Sequence, residues 1–418
     1  MVPALKPIEV ALDEILASAK APPPVEHVPL LAALGRVLAE SLRSPVDVPP
    51  CDNSAMDGYA IRYADVGVAT GDVGLEVTQR IAAGQVGSLL QPGTAARIFT
   101  GAVIPPGADT VVMQENTAVD GRQLRITADI KPGQHIRPAG QDIAAGSMVL
   151  SAGRWLRPED IGVLASTGIT QVPVFRPLKV AVLSTGDELV EPGRPLAQGQ
   201  IYNSNRYLLS ALLSAMGCEV VDGGIVADDL AQTRQQLLSL AEEADVIISS
   251  GGVSVGEEDH VKAAVEALGE LSLWKLNIKP GKPLAFGSVR GKRGEIPFFG
   301  LPGNPGSVFV TFNLIARPYL LRSQGRKVVE PLQFAITADF DWAKAGSRQE
   351  YLRARVVTME GENRVQLYPN QSSGALLSAS WANALVVLPP GATVQRGERV
   401  RVILFSELLG AGGPGLDA

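Results

Sequence analysis

Residues 179–188 read KVAVLSTGDE, and this stretch decides the predicted fold. Its first half, Val180–Leu183, is an uninterrupted apolar run, which is typical of a strand buried on both faces of a parallel sheet. Its second half, Ser184–Glu188, turns polar at once and places hydroxyls and carboxylates directly after the strand. This is the pattern of an α/β domain whose ligands bind beyond the carboxyl ends of its strands.

The segments on the C-terminal side repeat this pattern. Apolar strand-like runs alternate with stretches whose apolar residues recur every three or four positions, as in an amphipathic helix. The alternation predicts a central, doubly wound, mostly parallel α/β domain over residues 178–327. The predicted strands cover 179–183, 219–226, 245–250 and 296–299, and the predicted helices cover 206–216, 230–243, 260–268 and 307–321.

Further domains surround this one, so the predicted fold class is α/β multidomain. Residues 46–146 carry short Val, Ile and Thr runs between Gly and Pro turns, which predict an inserted β-rich domain. Residues 328–410 return to the same texture and predict a small C-terminal β-barrel-like domain, with 411–418 as a flexible tail. The remaining residues, 1–45 plus 147–177, predict an N-terminal helical stem.

Three helical patterns underlie the predicted stem. The first spans 8–19, the third spans 158–167, and Pro22–Pro24 separates the first from the second. The first pattern repeats with a helical period, and the second places four apolar residues on one helix face. The residues of the first are Ile8, Ala11, Leu12, Ile15 and Ala19, and those of the second are Leu30, Leu34, Val37 and Leu38.

The composition narrows the classes of function. The chain has 418 residues, 46% hydrophobic and 19% charged, and its net charge of −6 offers no footprint for nucleic acid or an anionic membrane. Two cysteines far apart in the sequence and three histidines argue against disulfides and zinc, so any metal is expected to be a hard cation on carboxylates. With acidic residues at 9, 13 and 14 in place of a signal peptide's apolar core, a cytoplasmic location is expected.

The loop Ser184–Glu188 supplies hydroxyls and N–H groups for a phosphate, and the carboxylates of Asp187 and Glu188 for Mg²⁺. A capping box is the alternative, with Ser184 as N-cap of a helix and Asp187 three residues on. The local pattern does not decide between the two.

The second polar loop, 251–259, reads GGVSVGEED. Its glycines let the backbone approach an anion, and Asp259 could hold a metal that bridges phosphate oxygens. An acidic helix start is the alternative. The pattern Gly252-x-Ser254-x-Gly256 matches a hydrolase nucleophile elbow, but the only later histidine is His260, on the helix that follows at once, so a serine hydrolase is excluded.

Lys275 and Lys279 form the third element. Their even spacing places both ammonium groups on one face of a single strand, where burial requires an anionic partner. A substrate oxyanion fits this role, and a salt bridge to Asp245 or Asp259 is the alternative. No Walker A or Gly-x-Gly-x-x-Gly sequence occurs, so the residues alone predict an anion site with Mg²⁺ without naming the anion.

The run DNSAMDGYA at 52–60 is the stretch that indicates a known family. It resembles the hallmark of the molybdopterin molybdenumtransferases, the MoeA family, which includes the E domain of gephyrin. Two departures are Cys51, in place of an aromatic residue, and Pro138-Ala139, where the family often has a second basic residue. Further matches lie at Phe99–Ala102, Ile136–Arg137, Gly140–Asp142, Ser184–Leu189, Ser250–Asp259, Lys275–Pro283 and Phe299–Pro305.

The resemblance implies an enzyme for the last step of molybdenum cofactor assembly. Such enzymes take adenylylated molybdopterin and molybdate, cleave the phosphoanhydride with Mg²⁺, release AMP and leave molybdenum on the dithiolene sulfurs. It also implies a homodimer of elongated four-part subunits, with the cleft between the β insertion of one subunit and the α/β and end domains of the other. Molybdopterin adenylyltransferase and molybdoenzyme maturation factors are the implied protein partners.

The resemblance further implies a division of roles. Mg²⁺ would bind Asp187, Glu188, Asp228 and Asp259. The catalytic residues would be Glu188, Asp259, Lys275, Lys279 and Asp57. The substrate-binding residues would be Thr100, Arg137, Asp142, Ser184, Thr185, Gly251, Gly252, Ser254, Pro302, Gly303, Asn304, Arg348 and Ser373.

Three alternatives compete with this interpretation. A molybdopterin adenylyltransferase-like enzyme would resemble residues 178–323 only, and it lacks both the 52–60 segment and the β end domain. A non-enzymatic, gephyrin-like scaffold would not need the retained acids and lysines. A tungstate-handling version has the same sequence features, because the two oxyanions share their charge and nearly their shape.

Overall fold

The computed structural model describes residues 5–70, 74–252 and 260–409. Its centre is a six-stranded sheet of β1 (Lys179–Thr185), β2 (Glu219–Val226), β3 (Val246–Ser250), β4 (Gly269–Lys275), β5 (Pro283–Gly291) and β6 (Gly294–Leu301). The strands lie in the order β2-β1-β3-β6-β5-β4. Strands β1, β2, β3 and β6 are parallel, as predicted, and β5 runs antiparallel to both β6 and β4.

Helices cover both faces of this sheet, which confirms the doubly wound arrangement. Along β1, Val180 and Val182 pack into one core, whereas Ala181 and Leu183 pack into the other, because successive side chains of a strand point to opposite faces. The first core receives helices Ser204–Ala215, Pro305–Thr311 and Arg317–Ser323, the last two joined by a π turn at Phe312–Ala316; the second receives Leu230–Glu243 and His260–Leu268.

The first predicted helix forms at Ile8–Ala17 and packs Ile8 and Ile15 into the first core of the sheet. The third forms at Pro158–Ser166. The predicted second helix is wrong, since residues 30–38 contain only a 3₁₀ turn, Leu30–Ala33.

Two features explain the error. Gly35 has a φ of 72°, a left-handed conformation that ends the turn. Val37 and Leu38 then form β-bridges to Trp155 and Val174, so their apolar side chains are buried by extended chain. Short strand pairs complete this region, Val25–Pro29 with Gln171–Phe175 and Leu42–Arg43 with Met148–Leu150.

The insertion is a β-rich unit, as predicted. A six-stranded sheet forms most of it, with a short helix at Val66–Ala69, 3₁₀ turns at Tyr63–Asp65 and Gln114–Asn116, and a separate pair of strands, Asn53–Ser54 with Ile136–Arg137. In spatial order the six strands are Thr110–Met113, Gly58–Ile61, Thr94–Ile98, Leu75–Ile81, Gln123–Ile126 and Thr117–Asp120.

The C-terminal region is a small closed barrel. Strand Gln349–Met359 pairs with Glu362–Leu367 and also with Ala384–Leu388, which closes the sheet on itself. The two-residue strand Ile278–Lys279 joins its edge from the α/β part of the chain. The remaining strands are Phe334–Ala338 and Arg399–Leu404, and the helices are Leu376–Trp381 and Phe405–Leu409. None of the described helices is long and apolar enough to cross a membrane.

Candidate functional site

The carboxyl ends of three neighbouring strands meet at one rim of the central sheet. After β3, the N–H of Gly251 donates to the carbonyl of Leu301 at the end of β6, at 3.1 Å. Gly252 has a φ of 64°, and a Cβ there would lie 3.0 Å from Thr185 Oγ1 at the end of β1. Only glycine fits this turn. The rim therefore brings Thr185, Gly251 and Gly252 together with the start of the 302–304 loop.

Ser184 is fully buried, and its hydroxyl donates to Asn203 Oδ1 at 3.4 Å. Asn203 in turn caps helix Ser204–Ala215 by accepting from the N–H of Arg206. No helix follows Ser184, since the chain continues in the short strand Leu189–Val190, which pairs with Ile201–Tyr202. The capping-box alternative is therefore wrong, and Ser184 secures the wall of the rim.

Asp187 and Asp228 lie side by side on this rim. The N–H of Asp187 donates to Asp228 Oδ2 at 3.4 Å, and the N–H of Asp228 donates to Asp187 Oδ1 at 3.1 Å. Glu188 folds its carboxylate over the backbone of Gly186, where a Cβ would lie 2.3 Å from Glu188 Oε2. The missing side chain at Gly186 therefore leaves the space that the Glu188 carboxylate occupies.

Two of these acids, Asp187 and Asp228, are placed as a hard cation requires. Mg²⁺ is commonly held by one or two carboxylates together with waters and substrate phosphates, and the exposed Asp187–Asp228 pair offers that number. Within the described ranges, no group of three or more His, Cys, Asp or Glu residues has metal-binding geometry. Two residues predicted for the site, Asp259 and Ser254, lie outside the described residues.

The two lysines do not share a strand, so that expectation is wrong. Lys275 ends β4 of the central sheet, whereas Lys279 belongs to the strand on the barrel edge. Between them the chain leaves the sheet after Leu276, whose N–H still donates to the carbonyl of Lys282 at 2.7 Å, and the N–H of Asn277 donates to the carbonyl of Lys6 at 2.8 Å. The N–H of Lys6 donates to the carbonyl of Lys275 at 2.8 Å, so Lys6 braces the segment on both sides.

The ammonium groups of Lys275 and Lys279 have different surroundings. Lys279 Nζ lies 3.4 Å from both carboxylate oxygens of Glu350, a residue that is only 4% exposed. Lys275 makes no ion pair with any described residue. Asp245, the predicted alternative partner, instead pairs with Arg176 at 2.7 Å, and this bond lowers the pKa of Asp245 against the opposing effect of burial.

The barrel supplies the residues next to Lys279. Arg348 donates from Nη1 to the carbonyl of Ile278 at 2.9 Å, which fixes its guanidinium beside the lysine. On the far side of the rim, the carbonyl of Ser373 accepts from the N–H of Gly306 at 2.8 Å, and Asn205 Nδ2 donates to the carbonyl of Gly303 at 2.7 Å. The barrel loop that carries Ser373 therefore packs against the start of the helix that follows the Pro302–Asn304 loop.

Sequence reasoning missed the residue that holds this barrel loop. Arg353 is fully buried, and its guanidinium donates to the carbonyl of Ser372 at 3.0 Å and to Ser378 Oγ at 2.9 Å. Burial lowers its pKa to about 10, so it stays charged at neutral pH. Arg353 shares a strand face with Tyr351, which packs into the first core of the central sheet, whereas Leu352 and Ala354 point into the barrel.

The insertion forms a second cluster. The N–H and the hydroxyl of Thr100 both donate to Asp57 Oδ1 at 2.8 Å. These bonds, with a smaller contribution from the charge of Arg97, lower the pKa of Asp57. Arg137 is exposed on the strand beside Asn53, and the N–H of exposed Asp142 donates to the carbonyl of Val48.

This cluster stands apart from the rim. In the part of the chain that the structure describes, the hydrogen bonds of Asp57, Thr100 and Asp142 all stay within the insertion. Of the predicted site residues, the structure therefore places those of the described strand-end loops on one rim, joins the Ser373 loop of the barrel to Gly306 beside that rim, and leaves those of the insertion in a group of their own.

Comparison with known proteins covers nearly the whole chain. Residues 6–168 match the model of the MoeA N-terminal region, domains I and II. Residues 181–322 match a probable molybdopterin binding domain, and residues 335–405 match the MoeA C-terminal region, domain IV. The three matches follow one another in the order of the insertion-bearing stem, the central sheet and the barrel.

Curated relatives and solved structures agree with these models. The molybdopterin molybdenumtransferase of Haemophilus influenzae is 39% identical over 408 residues, which cover 96% of this chain and 99% of the relative. That of a Nostoc species is 40% identical over 390 residues, covering 90% of this chain and 88% of the relative. The crystal structure of the molybdopterin biosynthesis MoeA protein from Pyrococcus horikoshii OT3 superimposes with a TM-score of 0.81 at 31% identity, covering 96% of this chain and all of that one.

Proposed function

The chain belongs to the MoeA family of molybdopterin molybdenumtransferases, and on that premise we propose how its residues divide the work. It is a molybdenum-transferring enzyme of molybdenum cofactor biosynthesis. The proposed reaction takes adenylylated molybdopterin and molybdate, breaks the phosphoanhydride with one water to release AMP, and passes molybdenum to the dithiolene sulfurs as one molybdate oxygen leaves, with the thiol protons, as water. The hydrogen bond between the Gly306 N–H and the Ser373 carbonyl carries this proposal. It joins the rim, to which the AMP portion is assigned below, to the barrel, which carries proposed ligands of the phosphate and molybdate oxygens.

The AMP portion is assigned to the rim. Gly251 and Gly252 clear the backbone for close approach, and the Pro302–Asn304 loop lies against them. Backbone that can approach an anion without side-chain obstruction suits a phosphate. Thr185 supplies a hydroxyl beside Gly252, and buried Ser184 stabilises this wall.

Asp187, Glu188 and Asp228, with Asp259 from the sequence, are the proposed residues for Mg²⁺. The exposed carboxylates of Asp187 and Asp228 are adjacent and present oxygen donors, which fits a hard cation. When bound, Mg²⁺ would neutralise the charge that develops on the phosphate oxygens as the anhydride breaks. The reciprocal hydrogen bonds keep both carboxylates in place before any ligand arrives.

Lys275, Lys279, Arg348 and Ser373 are proposed to bind the phosphate and molybdate oxygens. Arg348 is fixed by its bond to Ile278, so it loses little freedom on binding. Glu350 holds the ammonium of Lys279 near the barrel edge at 3.4 Å. Buried, charged Arg353 then keeps the loop of Ser373 in register with the rim.

The insertion is proposed to complete the site of a partner subunit in a homodimer. Asp57 and Asp142 would accept hydrogen bonds from the pterin's donor edge, and Thr100 and Arg137 would line the same wall. Supply of the substrate by a molybdopterin adenylyltransferase, delivery to molybdoenzyme maturation factors and a cytoplasmic location belong to the same proposal.

Molybdate-dependent AMP release tests this function. The purified chain is incubated with adenylylated molybdopterin, Mg²⁺ and molybdate, and AMP is followed over time. We expect Glu188→Ala to fold normally and to lose AMP release, whereas Glu219→Ala, at the opposite end of the sheet and paired with Lys179, keeps it. Wild-type protein that releases no AMP, or an active Glu188→Ala variant, would contradict the assignment.

A further inference from the structure

A row of side chains crosses the sheet of the insertion. Tyr59, Arg97 and Arg80 occupy neighbouring positions on three adjacent strands, Gly58–Ile61, Thr94–Ile98 and Leu75–Ile81. A register shift between Val77 and Gln79 sets Arg80 level with Arg97. Such bulges re-aim side chains and are common next to functional sites.

Phe99 holds both guanidinium groups of this row. The Cζ of Arg80 lies 4.6 Å from the centre of the Phe99 ring, and the Cζ of Arg97 lies 4.7 Å from it. Stacking on an aromatic face fixes a guanidinium without using its N–H donors. Phe99 therefore preorganises two positive charges on one face of the sheet.

The two arginines differ in what their donors do. Arg97 donates to the carbonyl of Gly58 at 3.0 Å and to Gln114 Oε1 at 2.7 Å. The side chain of Arg80 is exposed and makes neither a hydrogen bond nor an ion pair with any described residue. Its fork of N–H donors is thus oriented by Phe99 and open to a ligand.

The electrostatics of the pair favour an anion. Like charges at one register on neighbouring strands repel each other, and no carboxylate of the described residues forms an ion pair with either arginine. Asp57 lies nearby, but its Oδ1 is already bonded twice by Thr100. A phosphate would offset the repulsion and match the planar fork of Arg80.

We propose that Arg80, supported by Arg97, is a phosphate-binding residue for the pterin substrate, extending the Asp57–Thr100 cluster across the insertion sheet. The location fits, since Phe99 directly precedes Thr100 in the chain. The inference rests on the proposed function, because it assumes that this cluster meets the substrate. It adds a contact on the insertion to the phosphate contacts proposed at the rim.

Substrate affinity without turnover tests the proposal. The dissociation constant of adenylylated molybdopterin is measured by titration calorimetry in the absence of Mg²⁺ and molybdate, for wild type, Arg80→Gln, Arg80→Lys and the control Arg122→Gln. Arg122 lies on the same insertion, is 68% exposed in its side chain and pairs only with surface groups. Parallel titrations with molybdate alone separate a phosphate site from a general oxyanion site.

We expect Arg80→Gln to raise the dissociation constant about tenfold, the loss of one charge-assisted contact, with Arg80→Lys between it and wild type and Arg122→Gln unchanged. Molybdate affinity should be the same in all four proteins. Equal affinities for Arg80→Gln and Arg122→Gln, or a parallel loss of molybdate affinity, would overturn the inference while leaving the proposed function intact. A wild-type protein that binds no substrate would overturn both.

Discussion

Asp187 and Asp228 fix each other across the rim of the central sheet, since the backbone N–H of each donates to the carboxylate of the other, at 3.4 and 3.1 Å. The two residues come from different strand-end loops, 41 positions apart. Their negative charges are therefore held together by the backbone even though they repel each other, an arrangement that a bound cation would stabilise.

Replacing one of these acids should weaken the response to Mg²⁺ without unfolding the chain. Asp228→Asn keeps an oxygen that can accept from Asp187 but removes a charge, so we expect the Mg²⁺ concentration for half-maximal AMP release to rise about tenfold or more. A Mg²⁺ titration measures this, and the thermal midpoint should not fall. Asp229→Asn is the matched control, because Asp229 caps the next helix through Gln232 and Asn caps equally well. An unchanged Mg²⁺ requirement in Asp228→Asn would remove it from the metal site.

The Thr100 hydroxyl should be measurable in the titration of Asp57. Its bond favours the ionised carboxylate, so Thr100→Val should raise the pKa of Asp57 towards the ordinary aspartate value, only in part because the backbone N–H remains. A carbonyl-carbon NMR titration reads this directly, with Thr100→Ser as the control that keeps the hydroxyl. Since the native pKa is lowered, the ionised form persists at neutral pH and is lost only at strongly acidic pH. A Thr100→Val pKa equal to wild type would show that the hydroxyl bond does not form in solution.

Lys275 and Lys279 should both be needed for activity, but only Lys279 should contribute to the stability of the fold. Lys279→Gln leaves Glu350 buried without its cation, so we expect the free energy of unfolding to fall by about 1 kcal/mol. Lys275→Gln breaks no ion pair in the described chain and should leave stability within about 0.5 kcal/mol. Urea unfolding measures both, and both variants should lose AMP release. Equal stabilities for the two variants would mean that the Lys279–Glu350 pair contributes nothing.

The two cysteines should react very differently. Cys51 is exposed, whereas burial raises the pKa of the Cys218 thiol to about 12. Because the thiolate is the reactive form, we expect a thiol reagent at pH 8 to modify one cysteine per native chain and two after denaturation. Cys51→Ser should abolish the native reaction, and Cys218→Ser should leave it unchanged. A native Cys51→Ser chain that still reacts would contradict the burial of Cys218.

The sequence predicted best what depends on local pattern. Apolar runs such as Val180–Leu183 specify buried parallel strands, because a strand covered on both faces has no polar alternative. The helix predicted over residues 30–38 was wrong for a related reason. Four apolar residues at helical spacing also suit extended chain buried by neighbours, and Gly35 decides between the two through a backbone conformation that spacing does not encode.

Contacts between distant segments lay beyond the pattern. The prediction from the even spacing of Lys275 and Lys279 assumed one strand, but the N–H of Asn277 bonds to Lys6 and does not continue the ladder. Likewise, no local pattern marked Arg353 as buried, because residues 350–354 are buried on both faces of their strand by the packing of the barrel against the central sheet. A sequence shows which residues can carry charge, whereas long-range packing decides which of those charges are buried.

Lys6 helps to hold the segment that carries Lys275 in place. Its peptide group is clasped on both sides by the segment that carries Lys275, and its ammonium sits 3.9 Å from the centre of the Trp274 ring. Removal of Lys6 would therefore take away both backbone hydrogen bonds to this segment and loosen a lysine some 270 positions downstream. Kinetic work on this chain should accordingly keep Lys6 and place any affinity handle away from it.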